Sequence, residues 1–205
     1  MKKILSIALM ALAILATGCG SSKNANSFDG NQAVNNPPAI TKALEKPASR
    51  AYGSATQFDL GFATRTAAAS ARQELAAHIR SVLSSNTNIN RYAYQQYASD
   101  GKNAATGKDE ESKTQELVEA IVPEVDVNGS VIIENNIYKT RDGQYQVFVC
   151  VEYQGDAYKM ASQLADGYRK YLEQRVSEED RANIDQKVQE FQEETYNRIK
   201  EINGK

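Results

Sequence analysis

The chain has no tryptophan, a single histidine and two cysteines among its 205 residues. A metal site at His78 would need further ligands that the sequence does not supply, so His78 is interpreted as a packed or rim residue. Signatures of catalysis are also missing, because there is no Gly-x-Ser-x-Gly elbow and no phosphate-cradling glycine loop. We therefore expect no enzyme activity, metal or cofactor. Paired catalytic carboxylates leave no trace in sequence spacing, which keeps a hydrolase as a third hypothesis.

Long hydrophobic runs are confined to the start of the chain. A basic tripeptide, MKK, precedes an apolar run from Ile4 to Ala16, which is too short to span a bilayer as a mature helix. The run leads into LATGC, which ends at Cys19 and resembles the bacterial lipoprotein signal with alanine in place of the usual leucine. The resemblance implies a signal peptide over residues 1–18 and a lipid anchor on Cys19, with acyl chains such as palmitate. The alternative is an ordinary secretory signal with an incidental cysteine.

The charge of the chain is small. Loss of the signal peptide removes two lysines and takes the formal charge from −2 to −4. So weakly acidic a surface offers no electrostatic basis for binding nucleic acid. With Cys19 acylated, Cys150 lacks a disulfide partner and is interpreted as a small packing residue in a strand.

The residues after Cys19 predict a location and a linker. They begin GSSKN, with no aspartate beside the lipid and no acidic cluster, which by analogy with lipoprotein sorting favours the outer membrane and a periplasm-facing protein. Residues 19–50 are rich in Asn, Ser, Ala, Gly and Pro as far as Pro47, which predicts a flexible tether. About 30 residues of such chain have an end-to-end distance of roughly 30 Å, so the folded part would stand off the membrane.

The stretch Val125–Tyr153 carries the clearest structural pattern and predicts a β-hairpin. Alternate positions from Tyr145 onwards are apolar or aromatic, which is typical of a strand with one buried face. A three-residue loop over 141–143 keeps the apolar faces together and places Gly143 where a bulged loop requires a positive φ. The predicted register pairs Ile137 with Val147, Ile133 with Val151 and Val131 with Tyr153.

The opposite face of the predicted hairpin is not uniformly polar. Ile132, Tyr138 and Phe148 lie among its polar residues. Either a second layer covers these side chains or they contact another protein. We treat all three as candidate partner-binding residues.

A predicted helix from Asp59 to about Ser84 supplies the layer that covers the hairpin. Asp59 is the expected N-cap, and apolar residues recur at spacings of three and four. The first half is rich in alanine, which allows close approach to a sheet. The apolar stripe consists of Ala67, Ala71, Leu75, Ile79, Val82 and Leu83.

The stretch Ser85–Tyr97 leaves two interpretations open. Its Tyr and Thr content weakly favours a strand. Tyr92, Tyr94 and Tyr97 stand among Asn and Gln, an arrangement that also suits a glycan-binding surface. The plainer alternative is a strand with amphipathic tyrosines.

Three more helices are predicted after a loop at 98–108. The first covers 109–122, the second 155–176, and the third starts at a capping box over 177–180 and continues to about residue 202. The apolar stripe of the third either docks on the protein itself or binds a partner helix. The predicted inward residues are Leu117, Val118 and Ile121; Met160, Leu164, Tyr168, Tyr171 and Leu172; and Ile184, Val188, Phe191, Thr195, Ile199 and Ile202.

The order of these elements resembles the lipoprotein-20 domain family. The alanine-rich helix with ARQELAAHI at 71–79, the Ser/Thr/Asn-rich stretch, the short helix and the hairpin follow one another behind the lipoprotein signal, over about 59–155. The resemblance implies an α+β domain, 51–155, in which helices pack on a small antiparallel sheet, with a C-terminal helical extension over 156–205. It also implies an envelope-associated, non-catalytic domain and supplies no active-site residues.

These observations favour a lipid-anchored binding or assembly module in the periplasm, whose partner is an envelope protein or a second copy of the chain. The alternative is a lipoprotein that binds glycan or peptidoglycan through Tyr92, Tyr94 and Tyr97. For the leading hypothesis, the candidate partner-binding residues are Ile132, Tyr138, Phe148, Val188 and Phe191.

Overall fold

A computed structural model describes residues 36–87, 89, 107–175 and 183–204. These residues form an α+β fold in which helices pack on a small antiparallel sheet, as the sequence predicts. A 3₁₀ turn at Val122–Glu124 is the shortest element. The longer elements are α1 (Pro38–Leu44), β1 (Arg50–Gln57), α2 (Leu60–Ser84), α3 (Gly107–Ile121), β2 (Val131–Lys139), β3 (Tyr145–Glu152), α4 (Ala157–Arg175) and α5 (Ile184–Ile202).

The sheet has the order β1-β3-β2, so β3 is the central strand and is antiparallel to both neighbours. On the face that α2 covers, Val147, Val149 and Val151 of β3 are fully buried. These valines are the alternate positions that the sequence pattern assigns to the buried face. The predicted second strand of the hairpin, with its buried face, is therefore confirmed.

The helix α2 is confirmed with its predicted cap and stripe. It begins at Leu60, and the Oδ1 atom of Asp59 accepts a hydrogen bond of 2.6 Å from the backbone N–H of Phe62. Every residue of the predicted apolar stripe is buried. An amphipathic pattern of this length determines which face of a helix is buried before any tertiary contact is known.

The strand β1 is an element that the sequence analysis did not predict. Its inward residues are Ala51, Gly53 and Ala55, which are too small to produce a strong alternating hydrophobic signal. Their small size lets α2 approach the strand closely. A Cβ atom on Gly53 would lie 2.4 Å from the backbone of Ala67 and Ala71. The close approach expected from the alanine-rich half of α2 is confirmed, and its partner is β1.

Part of the stretch predicted as a tether is folded. The helix α1 starts at Pro38, a residue type favoured in the first turn, and buries Ala39 and Ala43 against the sheet face opposite α2. The backbone N–H of Ala39 donates a hydrogen bond of 2.7 Å to Oδ1 of Asn136 in β2. The tether prediction is therefore wrong from Pro38 onwards, because two buried alanines give little hydrophobic signal. Residues 19–35 of the predicted tether lie outside the described part of the chain.

The hairpin register is confirmed near the loop and wrong at the other end. Ile137 opposes Val147, and Gly143 has the positive φ, 80°, that the predicted loop requires. Farther from the loop, a register shift between Ile132 and Glu134 leaves Ile133 as an extra residue. Ile133 packs on the α1 side of the sheet, because a bulge places an inserted residue out of the regular alternation. The predicted partners of Ile133 and Val131 are wrong, since Val151 opposes Ile132 and Glu152 opposes Val131.

The three later helices are confirmed within one or two residues where they are described. All predicted inward residues of α3 and α4 are buried, as are those of α5 apart from the half-buried Ile202. α5 packs along α4, where the rings of Phe191 and Tyr168 have centroids 4.6 Å apart. The predicted capping box at 177–180 lies outside the described residues.

Candidate interaction surface

The most exposed apolar strand is β2. The side chains of Val131, Ile132 and Ile137 are 42%, 43% and 41% exposed, although two of them were predicted to lie on the buried face. Within the described residues β2 pairs with β3 on one side and with no strand on the other. We refer to these three side chains and the unpaired side of the strand as the β2 edge.

The position of the helices explains this exposure. Ile132 opposes Val151 and Ile137 opposes Val147, so both isoleucines point to the α2 side of the sheet, as their partners do. α2 lies over β1 and β3, where Gly53 permits close packing, and leaves β2 at the margin of the helical layer. The apolar layer of the sheet therefore continues beyond its helical cover.

Two features limit what pairs with the β2 edge. The bulge at Ile133 interrupts the strand, and Lys139 places an exposed cation at its end. Bulges and charged residues are common means by which proteins prevent indiscriminate pairing at sheet edges. Regular backbone pairing with an added segment is thereby restricted to the stretch between Glu134 and Lys139, while Val131 and Ile132 offer exposed apolar side chains on the other side of the bulge.

Tyr138 and Phe148, two of the candidate partner-binding residues, contact each other. Their rings form an edge-to-face pair with centroids 6.0 Å apart on the α1 side of the sheet. Phe148 also packs against the cluster that α1 forms with Cys150. Both side chains are half-buried, so α1 supplies part of the second layer that the sequence analysis left open.

Val188 and Phe191 are core residues. The exposed fraction of Val188 is 6% and that of Phe191 is 0%, because α5 turns its apolar stripe towards α4. Of the two alternatives for this stripe, docking within the chain is the one observed. The expectation that these two residues belong to a partner-binding surface is corrected accordingly.

Ion pairs hold α1 on the sheet. Arg50 pairs with Glu45, at 2.7 Å, and with Glu152, at 3.1 Å, and it also donates to the carbonyl oxygen of Lys42. Partial burial opposes the charge on Arg50, but its contacts with Glu152 and Glu45 outweigh burial and raise its pKa. Hydrogen bonds from Lys42 and Arg50 lower the pKa of Glu45. This end of α1 is thus fixed beside the start of β1.

The described groups that the sequence analysis considered for reactivity or metal binding are Cys150 and His78. Cys150 is fully buried, and burial raises the pKa of its thiol to about 11, so the reactive thiolate is disfavoured. His78 lies at the rim of the core, as predicted, with Nδ1 at 3.3 Å from the carbonyl oxygen of Arg50 and Nε2 at 3.5 Å from Glu74. In the described ranges, no group of three or more His, Cys, Asp or Glu side chains is placed to hold a metal ion.

The remaining candidate residues lie outside the described part of the chain. They are Cys19, the predicted lipidation site, and the predicted glycan-binding residues Tyr92, Tyr94 and Tyr97. Both assignments stay predictions. Among the helices that the structure describes, none combines the length and the apolar character needed to cross a bilayer.

Comparison with known proteins adds no functional information. No protein-family model matches the chain, and no curated protein matches it significantly. The resemblance to lipoprotein-20 domains therefore stays a prediction, and the functional argument depends on the chain's own residues.

Proposed function

We propose that this protein is a lipid-anchored cell-envelope lipoprotein that acts as a non-catalytic binding or assembly module in the periplasm. In this proposal the β2 edge binds an extended segment of another envelope protein. The supporting observation is that Val131, Ile132 and Ile137 are more than 40% exposed on a strand with one described neighbour. Strand addition uses two features, a strand edge with free backbone groups and exposed apolar side chains beside it.

The chemistry of the β2 edge suits an extended peptide. In strand addition, hydrogen bonds between the two backbones provide affinity, and alternate side chains provide specificity. Ile132 and Ile137 extend the buried layer of Val147 and Val151. Apolar side chains of an added strand would therefore pack against these two isoleucines on the α2 side of the sheet. The margin of the sheet that no described helix covers is thus a site where a partner would complete the layer.

The anchoring part of the proposal is supported by the sequence around Cys19. A short apolar run followed by LATGC is typical of a lipoprotein signal, and the following GSSKN has no aspartate beside the anchor. Two or three acyl chains would make attachment to the membrane stable. By analogy with lipoprotein sorting, the anchor would lie in the outer membrane, with the domain in the periplasm.

The experiment is in-cell photo-crosslinking followed by affinity capture from the membrane fraction. Wild type is compared with Cys19→Ala, with Ile132→Ser/Ile137→Ser, and with the control Leu44→Ser. Leu44 is 63% exposed at the end of α1, so the control removes a similar apolar side chain away from the β2 edge. Thermal unfolding of each purified variant establishes that the fold is intact.

We expect wild type and Leu44→Ser to capture the same envelope protein, and both the Cys19 and the edge variants to lose it. Capture that persists in Ile132→Ser/Ile137→Ser would overturn the assignment of the β2 edge. Capture of a second copy of the chain would make the assembly a homo-oligomer. Recovery of cell-wall fragments alone, with loss on Tyr→Ala substitution at positions 92, 94 and 97, would support the glycan-binding alternative.

A further inference from the structure

One end of the sheet brings together two turns that are distant in sequence. Gln57, the last residue of β1, and Lys139, the last residue of β2, both pair with Tyr145 of β3. The β1–α2 turn at Phe58 and Asp59 therefore lies beside the hairpin loop at 140–144. We call this region the hairpin end of the sheet.

The hairpin end carries two exposed phenylalanines. Phe58 is 71% exposed, more than any other large hydrophobic side chain in the described ranges, and Phe62 is 50% exposed. The hydrogen bond from the backbone N–H of Phe62 to Asp59 fixes the first turn of α2, so both rings are held at the same end. Exposed aromatic rings on a fixed turn are suited to the interfacial region of a bilayer.

Exposed cations lie at the same end of the sheet. Lys139 and Arg141 are both exposed, and the Nζ atom of Lys139 lies 5.8 Å from the centroid of the Tyr145 ring. Basic side chains next to apolar ones favour contact with anionic headgroups. Asp142 in the loop and Asp59 in the neighbouring turn balance these two cations, so the phenylalanine rings supply most of the attraction.

The first described helix starts towards the hairpin end of the sheet. α1 starts beside Asn136, in the middle of β2, and runs towards the opposite end of the sheet, where Arg50 contacts Glu45. Asn136 is three strand positions from Lys139, which is about 10 Å. The described part of the chain thus begins, at Asn36, on the side of the hairpin end.

We propose that the hairpin end rests on the surface of a phospholipid bilayer, with Phe58 and Phe62 in the interfacial region. This inference rests on the proposed lipid anchor at Cys19. The 17 residues from Gly20 to Asn36 span at most about 60 Å, which keeps the bilayer surface within reach of an anchored domain, so that the domain contacts it instead of standing off as the tether alone suggests. The strands then run away from the membrane, and the β2 edge faces sideways, where a partner has access.

The test uses the acylated full-length mature protein in vesicles of phosphatidylethanolamine and phosphatidylglycerol. A donor fluorophore is attached to a single new cysteine, either Asp142→Cys at the hairpin end or Gln154→Cys at the opposite end. Cys150 is fully buried and does not compete for the label. Energy transfer to a headgroup-labelled acceptor lipid reports the distance of each end from the bilayer, and β3 separates the two ends by about 27 Å.

We expect clearly more efficient transfer from position 142 than from position 154. The double change Phe58→Ser/Phe62→Ser should make the two efficiencies equal. The control Tyr158→Ser removes an aromatic ring that is 61% exposed at the start of α4, near the opposite end, and should leave the difference unchanged. All three substituted side chains are exposed, so loss of the fold does not explain an effect.

Two failures are distinguishable. Equal transfer in the acylated wild-type protein, or an unchanged difference in the phenylalanine variant, would overturn the orientation and leave the proposed anchor intact. Mass spectrometry of the purified protein reads the anchor separately. A Cys19 without acyl chains would overturn the proposed anchor and this inference together.

Discussion

Gly53 of β1 and Ala67 of α2 are in such close contact that there is no room for a side chain at position 53. A Cβ atom on Gly53 would lie 2.4 Å from the carbonyl oxygen of Ala67. Real Cβ atoms do not approach backbone oxygen this closely, so any larger residue at position 53 must move the helix from the sheet. This contact determines how deeply α2 lies on β1 and β3, and hence why β2 stays at the margin.

Gly53→Ala should destabilise the protein by about 2 kcal/mol or more, because the obstructing atoms belong to the backbone of α2. Urea unfolding measures this change. Gly61→Ala is the matched control, since its Cβ would meet only the side chains of Asp59 and Arg65 and alanine favours the helix. Equal stability of Gly53→Ala and wild type would show that the helix–strand contact is looser than described.

Phe191→Ala should cost about 3–5 kcal/mol, the usual range for removing a fully buried aromatic side chain. Phe191 packs on Tyr168 between α4 and α5, so its loss leaves a cavity where the C-terminal helices meet. Phe58→Ala, at a highly exposed position, should change the free energy of unfolding by less than about 0.5 kcal/mol. Similar effects of the two changes in chemical denaturation would contradict the docked position of α5.

Thr195→Val should destabilise the protein by about 1–3 kcal/mol, because the Nδ2 group of Asn86 would lose its 2.9 Å hydrogen bond to Thr195 in a buried site. Thr195→Ser keeps the hydroxyl group and should cost less. A double-mutant cycle with Asn86→Ala, measured by thermal unfolding, isolates the coupling between the two residues. Additive effects would mean that the hydrogen bond contributes nothing to docking α5.

Cys150 should make stability fall in alkaline solution. Its pKa is about 11 in the folded protein, raised mainly by burial, and about 8.5 in an unfolded chain. Because the unfolded thiol loses its proton first, this contribution to stability is complete below about pH 8 and falls as the pH rises through 11. The loss is on the order of 3 kcal/mol. Unfolding free energies of wild type and Cys150→Ala should diverge accordingly, whereas parallel pH profiles would refute the shift.

The helices α2, α3, α4 and α5 were predicted from sequence with nearly correct ends where they are described, whereas α1 was missed and the candidate surface was predicted only in part. The stripe from Ala67 to Leu83 and the Asp59 cap are local signals, since residues three and four positions apart share a face whatever the surroundings. Ile132 was a candidate and is at the surface, but Phe191 was also a candidate and is buried. An apolar stripe indicates that one face of a helix is buried. It does not indicate whether that face packs against the same chain or against a partner.

By itself, the sequence determined the α+β class, the hairpin loop at Gly143 and the buried faces of α2, α3, α4 and α5, because periodicity and turn geometry are local properties. Only the tertiary structure decided the rest. α1 and β1 depend on small residues whose fit is visible only beside their partners, and the bulge at Ile133 places that side chain on the α1 side of the sheet. The exposure of Ile132 and Ile137 follows from the strand order, since a strand lies at an edge only relative to its neighbours.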